Sequence, residues 1–106
     1  MSYVSAAKIG DVREGEGKTV SVNGQEVALF NVEGKIHAID NSCAHKGGPL
    51  GEGTLNGEIV TCPWHGWKFN VKTGVSPVNP AASVKSFKTK IAGDEIQIEV
   101  WAPNNF

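Results

Sequence analysis

The chain has 106 residues, ten basic and eleven acidic side chains, and a formal net charge of −1, a size that suits one domain with its own core and leaves no room for a second catalytic domain. No apolar run approaches the about twenty residues that span a bilayer. Basic and acidic residues read as interspersed, giving no reason to expect nucleic acid or a lipid surface, and Met1-Ser2-Tyr3-Val4 lacks the basic and apolar regions of a signal peptide, so a cytoplasmic protein is expected.

Val and Ile together number nineteen, against three Leu and one Met, and β-branched side chains favour a pleated sheet over a helix interior. In chain order, residues 18–22 and 25–30 flank Asn23-Gly24, a hairpin signal because both positions accept positive φ. Glu33-Gly34 turns into a strand at 35–39. Between Asp40 and Asn70 the pattern changes: glycines stand at 47, 48, 51, 53, 57 and 66, and only Glu58-Ile59-Val60-Thr61, after the Asn56-Gly57 turn, is strand-like. Val84 to Ile91 and Glu95 to Trp101 then flank Gly93-Asp94, with Ile96, Ile98 and Val100 marking one face. No amphipathic helix, internal repeat or low-complexity segment interrupts this. The expectation is an all-β, antiparallel single domain over residues 1–106. A loop-rich subdomain at about 41–70 is inserted into a base formed by about 1–40 and 71–106.

The chemistry is concentrated in two clusters. Cys43-Ala44-His45 and Cys62-Pro63-Trp64-His65 are separated by sixteen residues and hold both cysteines and two of the three histidines. Thiolate and imidazole ligands together leave zinc and a [2Fe-2S] cluster as candidates. Structural zinc sites usually pair two cysteines in one knuckle and two histidines on one helix. Here each cluster supplies one of each. That distribution suits two irons, the cysteines converging on one and the histidines on the other. Neither a nucleotide-binding fingerprint nor a constellation of catalytic residues accompanies them.

C-A-H and C-P-W-H, followed by Gly66-Trp67-Lys68-Phe69, resemble the Rieske motif in the form carried by small soluble Rieske-type ferredoxins, and the resemblance spans nearly the whole chain. It implies a Rieske-type antiparallel β-sandwich or barrel whose inserted loops bind one [2Fe-2S] cluster. Cys43 and Cys62 would hold the inner iron, and His45 and His65 the outer iron near the surface. Both cysteines are then ligands, and no disulfide is expected. The stretch from Ser76 to Pro80 resembles the loop that shields Rieske clusters from a third side.

The high-potential respiratory pattern, C-T-H-L-G-C and C-P-C-H-G-S-x-Y, has an extra cysteine in each loop, joined as a disulfide, and a Ser and a Tyr hydroxyl near the cluster. The corresponding residues are Gly48, Trp64, Trp67 and Phe69. With loops held by packing alone and without those hydroxyls, the expected potential is at the low end of the family range, below roughly 0 mV. Imidazole ligands that keep a titratable nitrogen should make that potential fall at alkaline pH.

The resemblance further implies a one-electron carrier rather than an enzyme. Its partners would be an NAD(P)H-dependent, flavin-dependent ferredoxin reductase upstream and a terminal oxygenase, such as an aromatic-ring-hydroxylating dioxygenase, downstream. A small shuttle exposing one cluster edge to two partners in turn is expected to be a monomer. The alternatives are the small Rieske-like subunit of an assimilatory nitrite reductase and a zinc-stabilised interaction module. Among neighbouring residues, Pro63 reads as shaping the second loop and Trp64 as a cover for the cluster, part of an apolar docking surface, or a buried anchor without a functional role. Lys46 and Lys68, beside the ligand loops, read as solvated surface lysines, with steering of an acidic partner as the alternative, and His37 as an ordinary exposed histidine.

Overall fold

The computed structural model describes residues 2–43, 48–64 and 66–100. They form ten strands in three antiparallel sheets, with two short 3-10 turns at Ile9–Asp11 and Leu50–Glu52. The strands are β1 (Ser2–Lys8), β2 (Gly17–Val22), β3 (Gln25–Val32), β4 (Lys35–Asp40), β5 (Thr54–Asn56), β6 (Ile59–Thr61), β7 (Lys68–Asn70), β8 (Ser86–Phe87), β9 (Thr89–Ala92) and β10 (Glu95–Val100). Sheet orders are β1-β10-β9, β2-β3-β4-β8 and β5-β6-β7. The all-β expectation holds, and among the described residues no helix is long and apolar enough to cross a membrane.

The turns anticipated from local chemistry are present. Asn23 and Gly24 both adopt positive φ, at 50° and 81°, and β2 pairs with β3 so that Val22 faces Gln25. The four-stranded sheet is the middle layer, and β3 shows why. Val27 and Leu29 join Ile36, Ala38, Phe87, Ile96, Ile98 and Val100 in a core shared with the β1-β10-β9 sheet. Ala28 and Phe30, on the opposite face, join Ile39, Leu50, Val60, Phe69, Val71 and the two cysteines in a second core. An unbroken apolar run is what a strand covered on both faces requires.

The strand expected over residues 84–91 is two strands. Ser86 and Phe87 pair with Ile39 and Ala38 of β4, whereas Thr89–Ala92 pairs with β10 in the other sheet. The chain changes sheets at Lys88, whose carbonyl accepts the Glu99 N–H at 2.9 Å. Alternation of side chains continues through such a switch, so period alone does not reveal it. Trp101, the expected end of the last strand, lies outside the described residues.

Candidate metal centre

Each cysteine heads a short closed loop. The Cys43 N–H donates to the Gly48 carbonyl oxygen at 2.9 Å, and the Cys62 N–H donates to that of Trp67 at 2.7 Å. In both cases the acceptor lies five residues downstream. The second loop is tightened further by the Gly66 N–H, which donates to the Cys62 carbonyl at 3.1 Å, with Gly66 at φ +75°.

The first loop is tied to the middle sheet by Asn41, a buried residue with no role in the sequence reading. Its Oδ1 accepts from the Gly51 N–H at 2.8 Å and from Thr19 Oγ1 of β2 at 3.0 Å. Its backbone carbonyl accepts the Leu50 N–H at 2.7 Å. The amide oxygen thus accepts from the far end of the loop and from the sheet beneath it, as a buried polar group must find partners. Nothing in the local sequence signals this, because Gly51 and Thr19 reach Asn41 only in three dimensions.

The two loops meet at Gly48. A Cβ there would lie 2.7 Å from Cys62 Sγ and 3.0 Å from Trp64 Cγ, so the backbone of the first loop is packed directly on the second loop's thiol and indole. Both cysteines are buried, in one core with Leu50, Val60 and Phe69. His45 and His65 lie outside the described residues, as do Ala44, Lys46 and Gly47. The described residues therefore place two of the four expected ligands, on adjoining loops.

These features fit a Rieske cluster. Two soft donors, one from each loop, lie in one apolar core cluster, and a glycine backbone abuts one thiol where a side chain would intrude. Each cysteine is followed within three residues by a histidine.

Residues 2–88 match the Rieske [2Fe-2S] domain. The chain belongs to this family. Its cofactor is one Rieske-type [2Fe-2S] cluster. Over 100 residues this Rieske domain is 35% identical to the ferredoxin component of the naphthalene 1,2-dioxygenase/salicylate 5-hydroxylase systems of a Ralstonia species, covering 93% of this chain and 96% of the relative. It superposes with a TM-score of 0.82 and 28% identity on a chain in the complex of reduced oxygenase and oxidised ferredoxin of carbazole 1,9a-dioxygenase, covering 91% of each chain. The nitrite reductase small subunit of Mycobacterium tuberculosis gives a TM-score of 0.86 at 24% identity, over 95% of this chain and 96% of that one. That last likeness is one of fold.

The loop from Val75 to Ser83 closes on itself through a bridge between those two residues. Inside it the buried Ser76 Oγ accepts the N–H groups of Val78 and Asn79 at 3.3 and 3.2 Å. This loop and the second ligand loop border one cleft of about 290 Å³, lined by Gly66, Trp67, Lys68, Ser76, Val78 and Asn79.

Three neighbours differ from or sharpen the sequence reading. Trp64 is 58% exposed, so it is not a buried anchor; its ring lies over Gly48 with the rest in solvent. Phe69 is fully buried opposite Val60, a position without a hydroxyl. His37 is half-buried rather than exposed, paired with Phe30 across β3 and β4 on the face turned to the second core. Its Nε2 is buried without a hydrogen-bond partner. Burial, then Lys72, push its pKa below the ordinary imidazole value, and Glu58 opposes them. Glu58 itself is held below the ordinary carboxylate value by hydrogen bonds from Lys72 and Asn70, with Lys72 Nζ 2.9 Å from Oε2.

Proposed function

We propose that this Rieske domain is a one-electron carrier in which Cys43 and Cys62 ligate the inner iron and His45 and His65 the outer iron. It takes electrons from an NAD(P)H-dependent flavin reductase and delivers them to a terminal oxygenase of the aromatic-ring-hydroxylating type. The observation that carries the ligand assignment is the contact at Gly48, which seats the Cys43 loop on the Cys62 thiol. The partner assignment rests on likeness to a dioxygenase ferredoxin component over nearly the whole of both chains.

When bound, the cluster stores and releases one electron, its neutral oxidised core accepting charge more readily than an all-cysteine cluster. The chain's residues supply the setting. Gly48 packs against the Cys62 thiol and the Trp64 ring, Asn41 fixes the first loop on β2, and Ser76 shapes the loop that borders the second. Phe69 offers no hydroxyl donor to a reduced cluster, which supports a potential below roughly 0 mV.

The division into a base of about 1–40 and 71–106 and a cluster-binding part of about 41–70 belongs to this proposal. It is supported by the β5-β6-β7 sheet, whose strands pair only with one another among the described residues. Monomeric state and cytoplasmic location belong to it as well, since a shuttle meets its partners one at a time.

The test is purification of the red-brown holoprotein, reduction by NADH through a flavin-containing reductase, and EPR of the reduced state. An average g below that of all-cysteine clusters is expected. A colourless, zinc-loaded protein refutes the assignment, and so does retention of the native spectrum after His45→Ala or His65→Ala.

A further inference from the structure

We propose that His37 is a proton-operated latch on the seam between the middle sheet and the β5-β6-β7 sheet. Neutral, it lets the two sheets close; protonated, it drives the Glu58 end of the seam open, and the cluster is then held less well. The cluster-retention part rests on the ligand reading above and adds its regulation by pH.

The seam joins the two halves of the metal centre. The first ligand loop continues from β4, and the second connects β6 to β7, with Cys62 directly after Thr61. The contact of Gly48 with the Cys62 thiol therefore lasts only while the β5-β6-β7 sheet lies on the middle one. Along β4 the residues on the seam face are Lys35, His37 and Ile39, in register with Val32, Phe30 and Ala28 of β3. Ile39, Phe30 and Ala28 are wholly buried in the second core, whereas Lys35 is exposed. His37 thus stands where the dry core gives way to its rim.

Its Nε2 is shut off from water and has no hydrogen-bond partner among the described residues. A neutral imidazole can leave one nitrogen as a bare acceptor, but the charged ring makes both nitrogens donors. A buried charged donor without an acceptor costs more than a neutral one. The surrounding charges offer little relief. Lys35 on the same strand and Lys72 after β7 are positive, and Lys88, after β8 on the other flank of β4, is positive and exposed. Glu58, in the turn before β6, favours a charged ring, yet both its oxygens are engaged elsewhere. Oε2 is 2.9 Å from Lys72 Nζ, and Oε1 accepts from Asn70 Nδ2 at 3.2 Å.

The mouth of the seam is already wet. The β3–β4 turn and the β5–β6 turn face one another across a cleft of about 420 Å³, lined by Val32 and Glu33 from one and Gly57 from the other, with Glu14, Gly15 and Asn31. Opening widens this cleft and brings Nε2 to water. In the closed seam burial, then Lys72, outweigh Glu58, and Lys35 adds to them, so the ring binds its proton less readily than it would in solvent. Acid therefore favours the open arrangement. Glu58 is held below the ordinary carboxylate value by its hydrogen bonds to Lys72 and Asn70, and stays charged throughout the range in which a histidine titrates.

The test follows wild type, His37→Gln, Lys72→Gln and Glu58→Gln as oxidised holoproteins. By NMR, the ring Cε1–H signal that is absent from His37→Gln should titrate with a midpoint below the ordinary value of about 6.5. The midpoint should move up in Lys72→Gln, which removes a positive neighbour and frees Glu58, and down in Glu58→Gln. First-order bleaching by an iron chelator is then measured from about pH 7.5 to 5.5, a range over which one proton bound only on opening raises the open population by up to about tenfold. Wild type should accelerate at least about twofold more than His37→Gln over that range. Lys72→Gln should flatten the wild-type profile and Glu58→Gln steepen it. Protonation of the ligand imidazoles is common to all four proteins and cancels in the comparison, and a residue that merely packs the seam would change the rate equally at every pH. The proposal is overturned if His37 titrates at or above the ordinary value, if the acceleration of wild type exceeds that of His37→Gln by less than this margin, or if Lys72→Gln and Glu58→Gln shift the profile in the same direction. Glu58 and Lys72 are half-exposed, so their opposed effects decide the matter should His37→Gln fail to fold. A wild-type protein without a bleachable visible spectrum would remove the ligand reading instead, and the titrations alone would then decide the latch.

Discussion

Gly48→Ala tests the contact on which the metal centre depends. Gly48 does not adopt a left-handed φ, so alanine is acceptable to the backbone and any effect comes from packing. The added Cβ would stand 2.7 Å from Cys62 Sγ and 3.0 and 3.1 Å from Trp64 Cγ and Cδ2. Ordinary contact begins at about 3.5 Å. Trp64 is largely in solvent and can swing away; Cys62 is buried and its N–H is fixed to Trp67. The first loop must therefore lift from the thiol. Overpacking of this kind costs about 1–3 kcal/mol, a factor of about 5 to 150 in the balance between closed and parted loops. The assay is first-order bleaching of the visible absorbance with an iron chelator at fixed temperature. Gly48→Ala should bleach at least about fivefold faster than wild type, and Gly48→Ala/Trp64→Ala should recover only part of the difference, because the clash with Sγ persists. Bleaching of Gly48→Ala within twofold of wild type would refute the reasoning.

Protein-film voltammetry of the holoprotein should give a midpoint below roughly 0 mV, and a value well above that would contradict the role assigned to Phe69 and Trp67. For His37 the folded-state pKa is depressed, chiefly by burial, so the unfolded chain binds the proton more tightly and stability is lost as pH falls below the ordinary imidazole value of about 6.5. His37→Gln should flatten denaturation midpoints between about pH 7 and 5 relative to wild type, and parallel profiles would count against it. At Gly74, φ is +80° and a Cβ would strike the Val84 carbonyl, whose own N–H donates to the Gly74 carbonyl at 2.8 Å. Gly74→Ala should cost about 1–2 kcal/mol for the left-handed backbone alone and lower the melting temperature by about 4–8 °C per kcal/mol. An unchanged melting temperature would show that the Val75–Ser83 loop is not braced there.

What the sequence determined by itself was local. The Asn23-Gly24 turn, the alternation of Ile96, Ile98 and Val100, and the one-cysteine, one-histidine division of each ligand cluster all depend on neighbours a few residues apart. That division favoured a two-iron cluster over a zinc knuckle, and the respiratory motif's missing cysteines were legible as Gly48 and Trp64. The tertiary structure decided what depends on distant partners. It split residues 84–91 between two sheets at Lys88, because β4 and β10 compete for opposite halves of one alternating stretch. It placed His37 against the second core rather than in solvent, since the strand's outer face is covered there by another sheet. It gave Asn41 its donors on β2 and Gly51, and set Gly48 against Cys62 and Trp64. Each of these is a close approach between residues well separated along the chain. A linear pattern records which face a side chain occupies, whereas only folding brings in the surface that meets that face.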